Sequence, residues 1–101
     1  MTEQTIIEKT AEHVLKTMKK KHHDLNQRDV LLQVCCMVID VIEKNTGSYS
    51  IEKKRSMCVK AFDDICRDLD LLHSVTYKDG VAIIMDWFDQ YHCGCKWRSC
   101  W

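Results

Sequence analysis

The sequence predicts a small all-α protein: a four-helix, mostly antiparallel bundle over residues 1–92, followed by a Cys/Trp-rich C-terminal tail over 93–101. Three observations lead there. The 101 residues include no proline and three glycines, whereas sandwiches, extended loops and flexible linkers draw on both. Apolar side chains recur at three- and four-residue spacing in successive segments, the period of a helix with one buried face. The breaks between those segments are short and carry residue types that cap helices.

The first helix is expected from about Glu3 to Lys21. Ile7, Ala11, Val14, Leu15 and Met18 fall on one face, Thr2 can cap the start, and Lys19, Lys20 and Lys21 suit the negative end of the helix dipole. The second helix is expected to start near Asn26, with Asn26 as its cap. From Val30 to Ile42 its apolar residues cover almost the whole circumference, which places it centrally in the domain or under a partner. Asn45-Thr46-Gly47-Ser48 is the clearest break, with Gly47 suited to a left-handed helix end and Ser48 or Ser50 to the next cap. A third helix then follows from about Ser50 to Leu72, with Ile51, Cys58, Phe62, Ile65, Cys66, Leu69 and Leu72 on its inner face. On its solvent side, Lys60–Asp64 and Asp63–Arg67 have the spacing of surface ion pairs. The fourth helix is expected after Thr76, where Thr76-Tyr77-Lys78-Asp79 resembles a capping box, and to end near His92 before Gly94. The expected core includes Leu32, Cys35, Ile39, Phe62, Ile65 and Trp87.

Composition narrows the function. Lys plus Arg and Asp plus Glu both number 15, so the net charge is zero, which argues against a general nucleic-acid binder. The first twenty residues lack the apolar stretch of a secretion signal, and Val30 to Ile42 is too short to span a bilayer. Seven cysteines, an odd number, then read as mostly free thiols in a reducing intracellular, cytoplasmic setting, with a virus particle as the alternative location. No residue set marks one cysteine as activated by a base and an orienting group, so the chain is expected not to be an enzyme and to have no small-molecule substrate.

The tail holds the one group with metal-ligand chemistry. His92, Cys93, Cys95 and Cys100 offer an imidazole and three thiols, the donor types that zinc takes. The C-x-C-x4-C spacing is not a usual zinc pattern, and a second ligand pair would have to come from His22 and His23 or from Cys35 and Cys36. A disulfide from Cys93 or Cys95 to Cys100 is a second reading and requires oxidising conditions. The third is that these are small side chains packed against the bundle or a partner, with no cofactor bound. Lipidation, with Trp97 and Trp101 at a membrane interface, is a fourth.

The charges of the third helix run against its dipole. Lys53, Lys54 and Arg55 open it and Asp63, Asp64, Asp68 and Asp70 crowd its end, each misplaced charge costing a few tenths of a kcal/mol. The aspartates read as a solvated face rather than a cation site, since a calcium loop needs a turn with glycine. A complementary partner would account for the pattern. Self-association in an antiparallel, two-fold contact would set Lys53 to Arg55 of one copy against Asp63 to Asp70 of the other, Asp63 and Asp64 included. Such a contact weakens as salt rises and on reversal of Lys53 and Lys54 to glutamate, and recovers on reversal of Asp63 and Asp64 to lysine. Trp87, Phe88, Trp97 and Trp101 are the candidate aromatic anchors of that interface. The function expected is therefore a non-enzymatic protein–protein interaction or assembly module, a small structural component of a virus particle being one concrete form. The alternative is a zinc-binding regulatory or nucleic-acid-contacting module built on the tail.

Residues 41–91 also resemble the small helical domain of the LL-H-type phage holin superfamily. The likeness rests on an apolar helix ending in Val41-Ile42-Glu43, the turn at Gly47, the pair Lys53-Lys54, then Val59 and the pair Ile83-Ile84. It implies a helical soluble module of viral origin. The family's transmembrane segment has no counterpart in this sequence, so pore formation is not carried over.

Overall fold

The computed structural model describes residues 2–21 and 25–92, with side chains through Gln90. Four helices make up the fold: α1 (Glu3–Lys21), α2 (Arg28–Asn45), α3 (Ile51–Asp68) and α4 (Val75–His92). There is no strand among the described residues.

α1 has the expected bounds, and the Thr2 hydroxyl caps it by accepting from the Thr5 amide at 3.2 Å. Ser50 caps α3 in the same way, accepting from Lys53 N–H. Three other boundaries differ from expectation. Asn26 does not cap α2; the cap position is Gln27, with no side-chain bond, and Asn26 Oδ1 instead accepts from the Thr76 hydroxyl at 2.6 Å. Thr76 is thereby taken from its expected role, and Ser74 caps α4, its hydroxyl accepting from Tyr77 N–H. α3 ends four residues earlier than Leu72. Asp70 takes a left-handed conformation (φ 58°), Leu71 N–H returns to the Cys66 carbonyl at 2.7 Å and Asp70 N–H to that of Arg67. This is a Schellman ending, with aspartate in the place glycine usually fills. Gly47 lies outside the left-handed region, and Thr46 takes the C-cap of α2.

α2 and α3 form the central pair. Each touches the three other helices, while α1 and α4 lie on opposite flanks and do not touch. That placement explains the apolar circumference of α2, which has neighbours on three sides. Its buried arc is Val30, Leu31, Val34, Cys35, Val38, Ile39 and Ile42. Leu32 lies off that arc and is only half-buried, contrary to expectation. Cys35, Ile39, Phe62, Ile65 and Trp87 are buried as expected.

Ion pairs fix the relative sense of α1 and α3. Lys53 meets Glu3 at 3.3 Å near the N-terminal ends, and Lys19 meets Asp68 at 3.4 Å near the C-terminal ends, so the two helices run parallel. Parallel neighbours place like dipole ends together. α1 opens with Glu3 and closes with Lys19, Lys20 and Lys21, while α3, beside its own Glu52 and Arg67, has Lys53 to Arg55 early and Asp63, Asp64 and Asp68 late, so one opposite-charge pair forms at each end. The reversed charge order of α3 thus has its complement inside the chain. All four side chains are largely exposed, so each pair contributes well under about 1 kcal/mol.

α4 approaches the central pair at Gly80. A Cβ built there overlaps the Phe62 ring, which is wholly buried and stacked on Tyr77 with ring centroids 6.1 Å apart. The thiol of Cys35 donates to the Gly80 carbonyl at 3.6 Å. A helix-interior glycine disfavours the helix locally, and here it permits close packing of α4 on α2 and α3. Gly80→Ala is expected to lower stability by about 1–3 kcal/mol through overpacking, outweighing its gain in helix propensity. Gly47→Ala, with nothing within 4 Å of its Cβ, is expected to be neutral or to stabilise by up to about 1 kcal/mol. Urea unfolding midpoints of the two variants check the contrast; equal effects would contradict the packing assigned to Gly80.

Candidate interaction surface

The zinc candidates divide at the end of α4. His92 is the last residue of that helix, with its side chain outside the described part, and Cys93, Cys95 and Cys100 lie wholly outside the described residues, as do Trp97 and Trp101. Among the described residues no three His, Cys, Asp or Glu side chains are grouped closely enough to hold a metal ion.

The bundle itself uses most of the residues expected at an interface. Trp87 and Phe88 are each 1 % exposed and pack edge to face, centroids 4.8 Å apart, in the core. Their period places them on the inner side of α4, so they anchor the fold and not a surface. Lys54 is buried as well, with its charge near Cys58. Lys53 lies over the Tyr49 ring and pairs with Glu3, and Arg55 is half-buried. Asp63 and Asp64 are half-buried too. Asp64 takes Arg67 at 3.3 Å, in place of the expected Asp63–Arg67 pair. Asp63 accepts a hydrogen bond from the Tyr77 hydroxyl, and this bond, with burial, pushes Tyr77 up to about 12. Within the chain, Lys53, Asp64 and Asp68 of α3 thus have partners in Glu3, Arg67 and Lys19.

The buried thiols Cys35, Cys58 and Cys66 have little nucleophilic character. Burial pushes Cys35 and Cys66 up to about 12, with smaller contributions from Cys66 and Cys36 on the first and from Asp63 on the second. Cys58 is raised further by burial, with Glu43 adding to the rise and Lys54 opposing it. A thiol held protonated is a poor nucleophile and metal ligand. These groups bind protons more tightly folded than unfolded, so the stability they contribute is intact below the ordinary thiol value of 9.0 and declines as pH rises from there towards 12. Urea midpoints are expected to fall through that range, and Cys35→Ala/Cys66→Ala to flatten the fall. A slope unchanged by that pair of substitutions would contradict the assignment.

The groove between α1 and α3, about 650 Å³, has Ala11 and Leu15 on its floor and charges of both signs on its walls, including Glu12, Lys16 and Asp68. Its walls present no single chemistry. The outward side of α4 does. Among the described residues the exposed large hydrophobics are Val75, 72 % exposed, and Met85, 39 % exposed, both on α4. Ala82 is exposed between them. Positions 75, 82 and 85 fall within about 80° of arc on a helix of 3.6 residues per turn. Asp79, Asp86 and Asp89 stand along the same side with Lys78. Sequence reading missed this stripe. Starting the helix after Thr76 left Val75 out of it, and the stronger inner period of Ile84, Trp87 and Phe88 masked the weaker outer one. The signal available was the apolar spacing of Val75, Ala82 and Met85 itself.

No family model, no curated protein and no solved structure matches the chain. Nothing in these comparisons bears on the likeness to the phage holin domain. No helix among the described residues is long and apolar enough to cross a membrane.

Proposed function

We propose that this chain is a non-enzymatic protein-interaction module whose docking surface is the outward side of α4. The observation that carries the reading is that both exposed large hydrophobics of the described chain, Val75 and Met85, stand on that side, on a flank that α1 leaves uncovered. The small Ala82 between them leaves room for a partner backbone to approach, and the acidic residues at the margin give the contact a polar rim. The protonated state of the buried thiols supports a non-catalytic role.

The test compares the wild-type chain with Val75→Lys/Met85→Lys, both immobilised and presented with extract from the native source, alongside light scattering of each in solution. A partner retained by the wild type and lost by the variant, at unchanged circular dichroism, is the expected result. A wild-type chain that stays monomeric at high concentration and retains nothing, or a partner held equally by both, would overturn it.

A further inference from the structure

The exposed residues of α4 through Gln90 all fall on one side of the helix, and their order is that of a coiled-coil seam. Val75, Lys78, Ala82, Met85 and Asp89 are separated by alternating steps of three and four. That is the spacing of the heptad positions that face a partner helix. Asp79 and Asp86, also exposed, fall at the positions that flank such a seam. The seam is about 20 Å long, close to two heptads at about 1.5 Å per residue.

The charges of this face have no complement within the bundle. Asp79, Asp86 and Asp89 stand with a single base, Lys78, and none of the four is in an ion pair among the described residues. On α3, by contrast, Asp64 meets Arg67 and Asp68 meets Lys19. α4 has no acid in its first turn and carries Asp89 in its last, where the helix dipole favours a base. A second copy does not neutralise the face either. A parallel pairing would set Lys78 against Lys78 and Asp89 against Asp89 in the seam. An antiparallel pairing would run the edge of Asp79 and Asp86 along its own counterpart. Like charges across a contact select against that partner.

We propose that the occupant of the α4 face is an amphipathic, basic helix of another protein, at least about two heptads long. Its large apolar side chains lie over Val75, Ala82 and Met85, and the small Ala82 leaves a hole that one of them fills. Lys or Arg along one flank meets Asp79 and Asp86, and a further base near one end meets Asp89. The apolar seam holds the contact, while the charges set partner choice and orientation. The inference rests on reading this face as a docking surface, and it supplies the chemistry of the partner.

Binding of labelled helical peptides to the full chain, read by fluorescence anisotropy, tests this. The first peptide has leucine along its seam and lysine on both flanks. The second keeps the leucines and has glutamate on the flanks. The third keeps the lysines and has serine along the seam. The leucine–lysine peptide is expected to bind on the order of tenfold more tightly than either other peptide, and to weaken as salt rises. Asp79→Lys/Asp86→Lys is expected to transfer the preference to the leucine–glutamate peptide, a reversal that unfolding cannot produce. Val75→Ser/Met85→Ser is expected to reduce leucine–lysine binding to the level of the serine–lysine peptide. Equal binding of the lysine-flanked and glutamate-flanked peptides would overturn the proposal. So would failure of the leucine–lysine peptide to bind, or serine–lysine binding as tight as leucine–lysine. Self-association of the chain that Val75→Ser/Met85→Ser abolishes would give the face to a second copy and overturn it as well. A native partner lost with Val75→Lys/Met85→Lys yet indifferent to Asp79→Lys/Asp86→Lys defeats only this inference. Peptide selectivity as expected, on a chain that retains nothing from its native source, defeats only the functional reading.

Discussion

Replacing Trp87 with alanine is expected to destabilise the bundle by about 3–5 kcal/mol, the range for deleting a large aromatic from a core. Trp87 is 1 % exposed and meets Phe88 edge to face at 4.8 Å, so the truncation removes packing on α4 that no neighbour can replace without moving. A domain of this size has a total stability of about 5–15 kcal/mol, so the loss is a large fraction of it. Each kcal/mol lost lowers Tm by about 4–8 °C in a domain of 60–100 residues. The outcome separates the two roles available to this residue. A surface anchor, when truncated, loses binding and leaves the melting temperature in place. A core residue lowers the melting temperature and the urea midpoint together. An unchanged midpoint for Trp87→Ala would return the residue to the surface and undo the packing of α4.

Phe62→Ala is expected to cost about 3–5 kcal/mol as well, for a more specific reason. The Phe62 ring fills the space that the missing side chain of Gly80 leaves between α3 and α4, and it stacks on Tyr77. The two positions are therefore one packing unit and should not behave additively. In the wild-type chain Gly80→Ala destabilises because its methyl meets the ring. In the Phe62→Ala chain the same methyl enters the vacated space and adds helix propensity, so Gly80→Ala is expected to be neutral or stabilising there. A double-mutant cycle read by urea unfolding measures this change of sign. Additive effects would show that the ring and the glycine do not share that space.

The extent to which the fold was legible in the sequence differs from element to element. The bounds of α1 were readable because its start and end signals are local: a threonine whose hydroxyl reaches the first turn, and three lysines at the negative end. Ser50 was readable for the same reason. Asn26 and Thr76 carried equally good capping chemistry, yet they bond to each other, fifty residues apart, and leave the caps to Gln27 and Ser74. The end of α3 was misjudged because Leu69 and Leu72 continue the apolar period past the point where Asp70 turns the backbone left-handed. Of the aromatic residues expected at an interface, Phe88 faces inward together with Trp87, which stood in the expected core as well, because aromatic content marks a buried face and an exposed anchor equally. Periodicity distinguishes the two only when the outer face is read alongside the inner one.

The sequence by itself determined the helical class, the number of helices and most of the buried set, because these follow from a period of 3.6 and from the absence of proline, both of which are local. Only the tertiary structure decided that α2 and α3 share the centre and that α1 and α4 occupy opposite flanks. It also decided that α1 lies parallel to α3, so that the reversed charge order of α3 is met by Glu3 and Lys19 within the chain. The need for glycine at position 80 is likewise set by a ring eighteen positions earlier in the chain. Charge complementarity and close approach are relations between surfaces distant in sequence, and a helix carries no mark of which neighbour will satisfy it until the helices are packed.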